Sequence, residues 1–180
     1  MQGRPERPFR AMLWHRIGAK LFYISFHNWY GLRNALLRAF GASVAPTSRV
    51  RPSATITEPW NFAIGHESSV GDLAYIDSRE QVTIGQFCTV SQHTRLLTAL
   101  DEATSAAASA LASANIHTRG PITLEDDTWA AAEAMILPGV TVRAGSIIGA
   151  RGTARSELEP WSTFGGDPLR RLGTRAKPTA

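Results

Sequence analysis

One cysteine, Cys88, stands in 180 residues, so no disulfide can form within the chain and packing must hold the fold. Long apolar runs are missing too. None reaches the roughly 20 residues that span a bilayer, and the N-terminus lacks the ordered regions of a secretory signal. A cytoplasmic location is expected. Acid is nearly absent from residues 1–51, where Glu6 stands against nine Lys or Arg. No recognisable nucleic-acid motif or spacing accompanies those cations, so no nucleic-acid partner is expected. The rest of the charge is uneven: residues 52–167 hold fourteen acids against six basic residues, and the tail from Pro168 holds four basic residues and no acid. With 43% apolar residues, the chain has enough for one core.

What is present is a beat of six. Leu124, Ala130, Ile136, Val142, Ile148 and Ala154 recur at a period that fits neither an α-helix nor a simple strand. Six residues make one short strand and one corner. Three such units close a triangular coil, and stacked coils bury the recurring aliphatic as a column inside a parallel β-helix. The residues two places earlier point the same way on a pleated strand: Ile122, Thr128, Ala134, Val140, Ser146 and Gly152, mostly small, as a narrow prism requires. Gly145 and Gly149 sit near corners. The same beat appears earlier at Val44, Val50 and Ile56, at Ile64, Val70 and Ile76, and at Ile84, Val90 and Leu96. Residues 44, 64 and 84 are twenty apart, which is one eighteen-residue coil with two inserted residues. Corner bulges are predicted near Glu58–Asn61 and Gln81–Thr83. Cys88 occupies a small inward slot and is expected to be a structural thiol.

Three segments follow from this pattern. Residues 1–42 form a basic arm, flexible over 1–10, and a helical cap from Ala11 to about Phe40, broken near Asn28 or Gly31. Residues 43–161 form the β-helix, and residues 162–180 a basic, extended tail. Trp14, Phe22, Tyr23, Trp29 and Tyr30 with flanking Arg also suit an interfacial helix on anionic lipid. His15 and His27 are expected to be packing or surface residues. The beat stops at residues 97–120, a loop long enough to be functional or disordered. Its run of Ala and Ser from Ala103 to Ala114 suggests a mobile excursion with a helical turn or two.

LRNALLRAFGA, RPSATI followed by EPWNFAIG, IGQFCTVSQ, PITLEDDTWAAAEAMILPGVTV and IIGAR with a downstream PWSTFGGDP resemble the hexapeptide-repeat acyltransferases. The closer resemblance is to the colanic acid and exopolysaccharide biosynthesis O-acetyltransferases. It covers about residues 29–170. It implies an all-β fold, a left-handed parallel β-helix with an N-terminal helical cap, assembled as a homotrimer with acetyl-CoA as co-substrate and a saccharide hydroxyl as acceptor. A pantetheine arm needs small side chains along a coil edge, which Ala131, Ala132, Gly149, Ala150 and Gly152 supply, and its phosphates need cations, for which Arg151, Arg170, Arg171 and Lys177 are at hand. Such residues also serve tight coils with no ligand. The acceptor is expected to be a small-molecule or a lipid-carried saccharide, and a lipid-carried one would bring peripheral membrane contact.

The resemblance also implies a loop His as the base that takes the acceptor's proton. Counting from Ser91-Gln92, that position falls on Asp101, beside Glu102. An exposed carboxylate is a weak base for a hydroxyl, which leaves His93 and His117 as the candidates. The family's Gly positions read Asp127 and Glu133 here, and Glu133 lies where it could obstruct the pantetheine. Two functions stay open: acetyl transfer, or a catalytically degenerate trimeric scaffold or binding subunit.

Overall fold

A column of aliphatics six residues apart can be buried only if the backbone turns after each one. The computed structural model, which describes residues 8–100 and 116–177, does so. The first coil is β1 (Ser43–Val44), β2 (Arg49–Val50) and β3 (Thr55–Ile56). The second is β4 (Phe62–Ile64), β5 (Ser69–Val70) and β6 (Tyr75–Asp77). The third is β7 (Val82–Ile84), β8 (Thr89–Val90) and β9 (Arg95–Leu97). After the long loop come β10 (Ile122–Leu124), β11 (Trp129–Ala130) and β12 (Met135–Ile136). The fifth coil is β13 (Thr141–Val142), β14 (Ile147–Ile148) and β15 (Thr153–Ala154). Each strand pairs in parallel with its counterpart one coil on, which makes three faces: A from β1 to β13, B from β2 to β14, and C from β3 to β15.

The register stacks Val44, Ile64, Ile84, Leu124 and Val142 on face A, and corresponding columns on B and C. All fifteen predicted column residues are 6% exposed or less. Polar residues in the small slots satisfy their hydroxyls across coils: Ser68 Oγ donates to Gly85 O at 2.6 Å and Thr94 Oγ1 to Ala131 O at 3.0 Å. Thr128 Oγ1 donates to Cys88 Sγ at 3.2 Å. Burial pushes the Cys88 thiol up from its ordinary value. The folded state therefore favours the neutral thiol, and that contribution to stability is intact below the ordinary thiol value and lost as pH rises past it. Alkylation of Cys88 at neutral pH should need denaturant, with native labelling by mass spectrometry under a few per cent of the denatured rate on the order expected for a buried neutral thiol.

The first inserted corner falls within the predicted span and takes the form of a 3₁₀ turn, Pro59–Asn61. The second lies at residues 78–81 rather than 81–83: Val82 is an inward residue paired with Phe62, so the extra length is displaced to the corner before it.

The cap begins earlier than the expected Ala11. Its elements are α1 (Pro8–Leu13), a π-helical turn (Trp14–Gly18), α2 (Ala19–Ile24) and α3 (Tyr30–Ala39), broken near Asn28 as the sequence suggests. Each coil's N–H groups donate to the carbonyls of the next, so the start of a β-helix leaves the carbonyls of its first coil without a preceding strand to donate to them. Here each column residue of that coil receives one cap donor. Arg38 Nε reaches Val44 O at 2.8 Å, Arg33 Nε reaches Val50 O at 2.8 Å, and Trp14 Nε1 reaches Ile56 O at 3.0 Å.

The C-terminus also departs from expectation. β16 (Ser162–Gly165) extends face B beyond Trp161, and β17 (Arg170–Thr174) folds back antiparallel on it instead of trailing as a tail. Pairing satisfies backbone groups that the exposed edge of β14 and β16 would otherwise present. Arg175 then anchors the segment, donating to Asp127 Oδ1 at 3.0 Å.

Candidate functional site

The corner between faces B and C carries most of the residues predicted for a site. There the chain bends through a left-handed residue in each of four successive coils: Leu73, His93, Glu133 and Arg151, with φ of 56°, 58°, 61° and 61°. Backbone bonds stack them: His93 N donates to Asp72 O, Glu133 N to Gln92 O and Arg151 N to Ala132 O, each at 3.0 Å. His93 thus lies one coil below Glu133 and two below Arg151, beside the step formed by Ala131, Ala132, Gly149 and Ala150. Among the described residues the amides of Ala132 and Ala150 donate to nothing. Two unused N–H groups one coil apart, with no side chain larger than methyl between them, form an edge that an extended amide-bearing ligand can follow.

Glu133 and Arg151 lean on each other. Arg151 Nε lies 2.9 Å from Glu133 Oε2, and both side chains are exposed. The hydrogen bond and charge of Arg151 hold the Glu133 carboxyl below the usual carboxylate range, with a smaller pull from His93. So exposed a pair adds little to stability, but it neutralises the cation that the edge would offer a phosphate. The positive φ at Glu133 and Asp127 also gives a physical reason for glycine there.

Other predicted residues are dispersed. Gly152 is buried, and a Cβ there would come 2.7 Å from Leu169 Cδ1, so its smallness serves the core. Arg170 opens β17 opposite Gly165, whose backbone neighbours Gly149. Arg171 Nε donates to Ser162 Oγ at 3.1 Å and lies 3.6 Å from Glu159. Lys177 and Arg175 stand 5.9 and 5.8 Å from the Trp161 ring, at the corner between faces A and B, where Trp161 covers Gly145. A shallow depression of about 180 Å³ opens near that corner, lined by Phe87, Trp129, Ile147 and Arg175 among others. It is not the edge described above.

His117 occupies the third corner, between faces C and A, with its ring against Gly139. The long loop leaves and returns there through a short antiparallel ribbon: Leu100 N donates to Thr118 O at 2.8 Å and Gly120 N to Thr98 O at 2.9 Å. Asp101, Glu102 and the Ala-rich run lie outside the described residues. Sequence reasoning missed what ties this ribbon down. Asp77, buried, accepts from Arg79 Nε and Nη2, Arg79 Nη2 also donates to Ala99 O at 2.7 Å, and Thr98 Oγ1 donates to Asp77 O at 2.9 Å. Glu58, near the same corner, has its carboxyl pushed up, chiefly by burial. The only signal in the sequence was an Asp-Ser-Arg run at an inserted corner. His93 and His117 are therefore not brought together within one chain; they flank face C at opposite corners.

No protein-family model matches the chain. Over 165 residues, 92% of this chain and 87% of the relative, it is 30% identical to WcaF of Escherichia coli strain K12, provisionally named a colanic acid biosynthesis acetyltransferase. The chain belongs to the hexapeptide-repeat acetyltransferase family. Its left-handed β-helix matches a hexapeptide-repeat-containing acetyltransferase of Vibrio cholerae with a TM-score of 0.81 at 23% identity, covering 97% of this chain and 96% of that one. A second structure of the V. cholerae protein, a complex with acetyl coenzyme A, matches with a TM-score of 0.73 at 20% identity over 98% and 93%. A maltose O-acetyltransferase of Clostridium difficile matches at 0.78, with 18% identity over 96% and 90%. This hexapeptide-repeat acetyltransferase carries the Glu133–Arg151 pair on its small-residue edge.

Proposed function

We propose that the protein is an O-acetyltransferase, moving acetyl from acetyl-CoA to a saccharide hydroxyl in exopolysaccharide or related glycan synthesis. The observation that carries this reading is the identity to WcaF along nearly the whole of both chains. Acetyl-CoA lies along the corner between faces B and C, its pantetheine amides meeting the unused N–H groups of Ala132 and Ala150, with Arg151 and Arg170 as cations for its phosphates. The acceptor oxygen attacks the thioester carbonyl while a base takes its proton, and the CoA sulfur leaves and is protonated. His93 is the base we favour, because it shares that corner; His117 would serve only from a neighbouring subunit. Exposed Phe87 and Trp129 beside face B support assembly of copies as a homotrimer. The acceptor is lipid-carried and the reaction cytoplasmic.

The test is CoA release from acetyl-CoA over a panel of saccharide acceptors. Acceptor-dependent release supports the enzyme. A second reading, a scaffold whose transfer centre has decayed, is favoured by Asp101 at the expected His position and by the pairing of Glu133 with Arg151. Binding of acetyl-CoA without release from any acceptor would establish it. Removing the acid should free Arg151: Glu133→Gly should tighten acetyl-CoA binding by about threefold to tenfold and Arg151→Ala should weaken it similarly, by calorimetry, as expected for a charge-assisted phosphate contact.

A further inference from the structure

Ten of the fifteen large apolar side chains exposed among the described residues belong to the N-terminal cap. On the continuous helix from Pro8 to Ile24, Leu13, Ile17, Leu21 and Ile24 recur at four, four and three residues and stand 36–72% exposed. They run beside the buried row Trp14, Gly18 and Phe22, which faces the core. The π-helical turn holds the two rows alongside each other at a spacing near four. Phe26 and Trp29, exposed and packed edge-to-face at 4.9 Å, continue the surface past the helix end. Arg16 and Lys20 are exposed next to the apolar row, and neither has a carboxylate partner among the described residues.

Charge decides what covers this face. No Asp or Glu occurs between Pro8 and Thr57. A second copy would have to bring negative charge, yet nine of the twelve carboxylates among the described residues are already paired with arginines of their own chain. An apolar row bordered by unpaired cations that can extend toward phosphate matches a bilayer surface instead. No described helix is long and apolar enough to cross a membrane, so the contact lies in the interface plane.

We infer that the face of the cap bearing Ile17, Leu21, Phe26 and Trp29, with Arg16 and Lys20, docks on a membrane surface containing anionic lipid. Its use rests on the lipid-carried acceptor proposed above, but docking requires no transfer chemistry, so either can fail alone. The test is co-sedimentation of the full chain with vesicles of phosphatidylcholine alone and with about a third phosphatidylglycerol, alongside size-exclusion chromatography. Binding to the anionic vesicles is expected, weakened about fivefold for each cation lost in Arg16→Ala and Lys20→Ala. It should fall by about tenfold or more in Ile17→Glu with Leu21→Glu. All four residues are exposed, and circular dichroism verifies the fold; should the Glu pair not fold, the Ala pair still decides. Equal binding to both vesicles, no binding to either, or variants that bind like wild type would overturn the inference. So would a change in assembly size with vesicle binding intact, which would make the face a contact between subunits.

Discussion

Arg33→Ala is expected to destabilise the protein by about 3 kcal/mol, because one guanidinium joins the cap to the prism. Arg33 is fully buried. Its Nε donates to Val50 O at 2.8 Å, Nη1 to Phe26 O at 2.7 Å and Ser25 Oγ at 3.0 Å, and Nη2 to His27 O at 2.7 Å. Burial lowers its pKa from the ordinary value, with Arg51 adding to the effect and Tyr30 opposing it. Even so the group keeps its charge, as arginine does in proteins. Truncation leaves Val50 O without its donor and frees the turn between α2 and α3, where water recovers part of the loss. For a chain of this size, a 3 kcal/mol loss lowers the melting temperature by about 6–12 °C. Arg33→Lys should recover only part of it, since a single ammonium cannot reach both sides of the turn. A loss under about 0.5 kcal/mol, the usual range for surface substitutions, would show that the cap is not anchored this way.

His93→Ala should slow acetyl transfer by about 10²- to 10⁴-fold, the usual contribution of a positioned base, with acetyl-CoA affinity nearly unchanged. His93 is exposed, so its removal costs little packing. A structural role would move stability or affinity along with rate; a base moves the catalytic rate constant alone. His117→Ala is the matched control. If it abolished transfer while His93→Ala did not, the base would lie at the loop corner and be supplied across a subunit boundary.

The column of the prism was legible because burial enforces the period: fifteen residues named from spacing are the fifteen that stack inside. Twenty-residue steps likewise placed Val44, Ile64 and Ile84 in one register. What the period does not constrain is a side chain pointing outward at a corner. Nothing in the local sequence at Glu133 announces Arg151 eighteen residues on, and the anchoring of Arg175 on Asp127 spans 48 residues. Asp77 and Arg79 were hidden for the same reason. Arg33, Arg38 and Trp14 read as members of amphipathic helices, but that three donors would each meet one carbonyl of the first coil depends on how the helices seat. The small-residue edge was legible as composition and incomplete as a site: the structure gathers Ala131, Ala132, Gly149 and Ala150 with His93, and assigns Gly152 to packing and Lys177 to Trp161.

Calorimetric titration of wild type and Ala150→Trp with acetyl-CoA tests the central claim most directly. Ala150 is exposed at the corner between faces B and C, so a bulky side chain there fills the edge without entering the core. Micromolar binding by wild type, at about −8 kcal/mol, and its loss in Ala150→Trp is the predicted result. No heat from wild type, or equal binding by the two proteins, would contradict the assignment of that corner to acetyl-CoA.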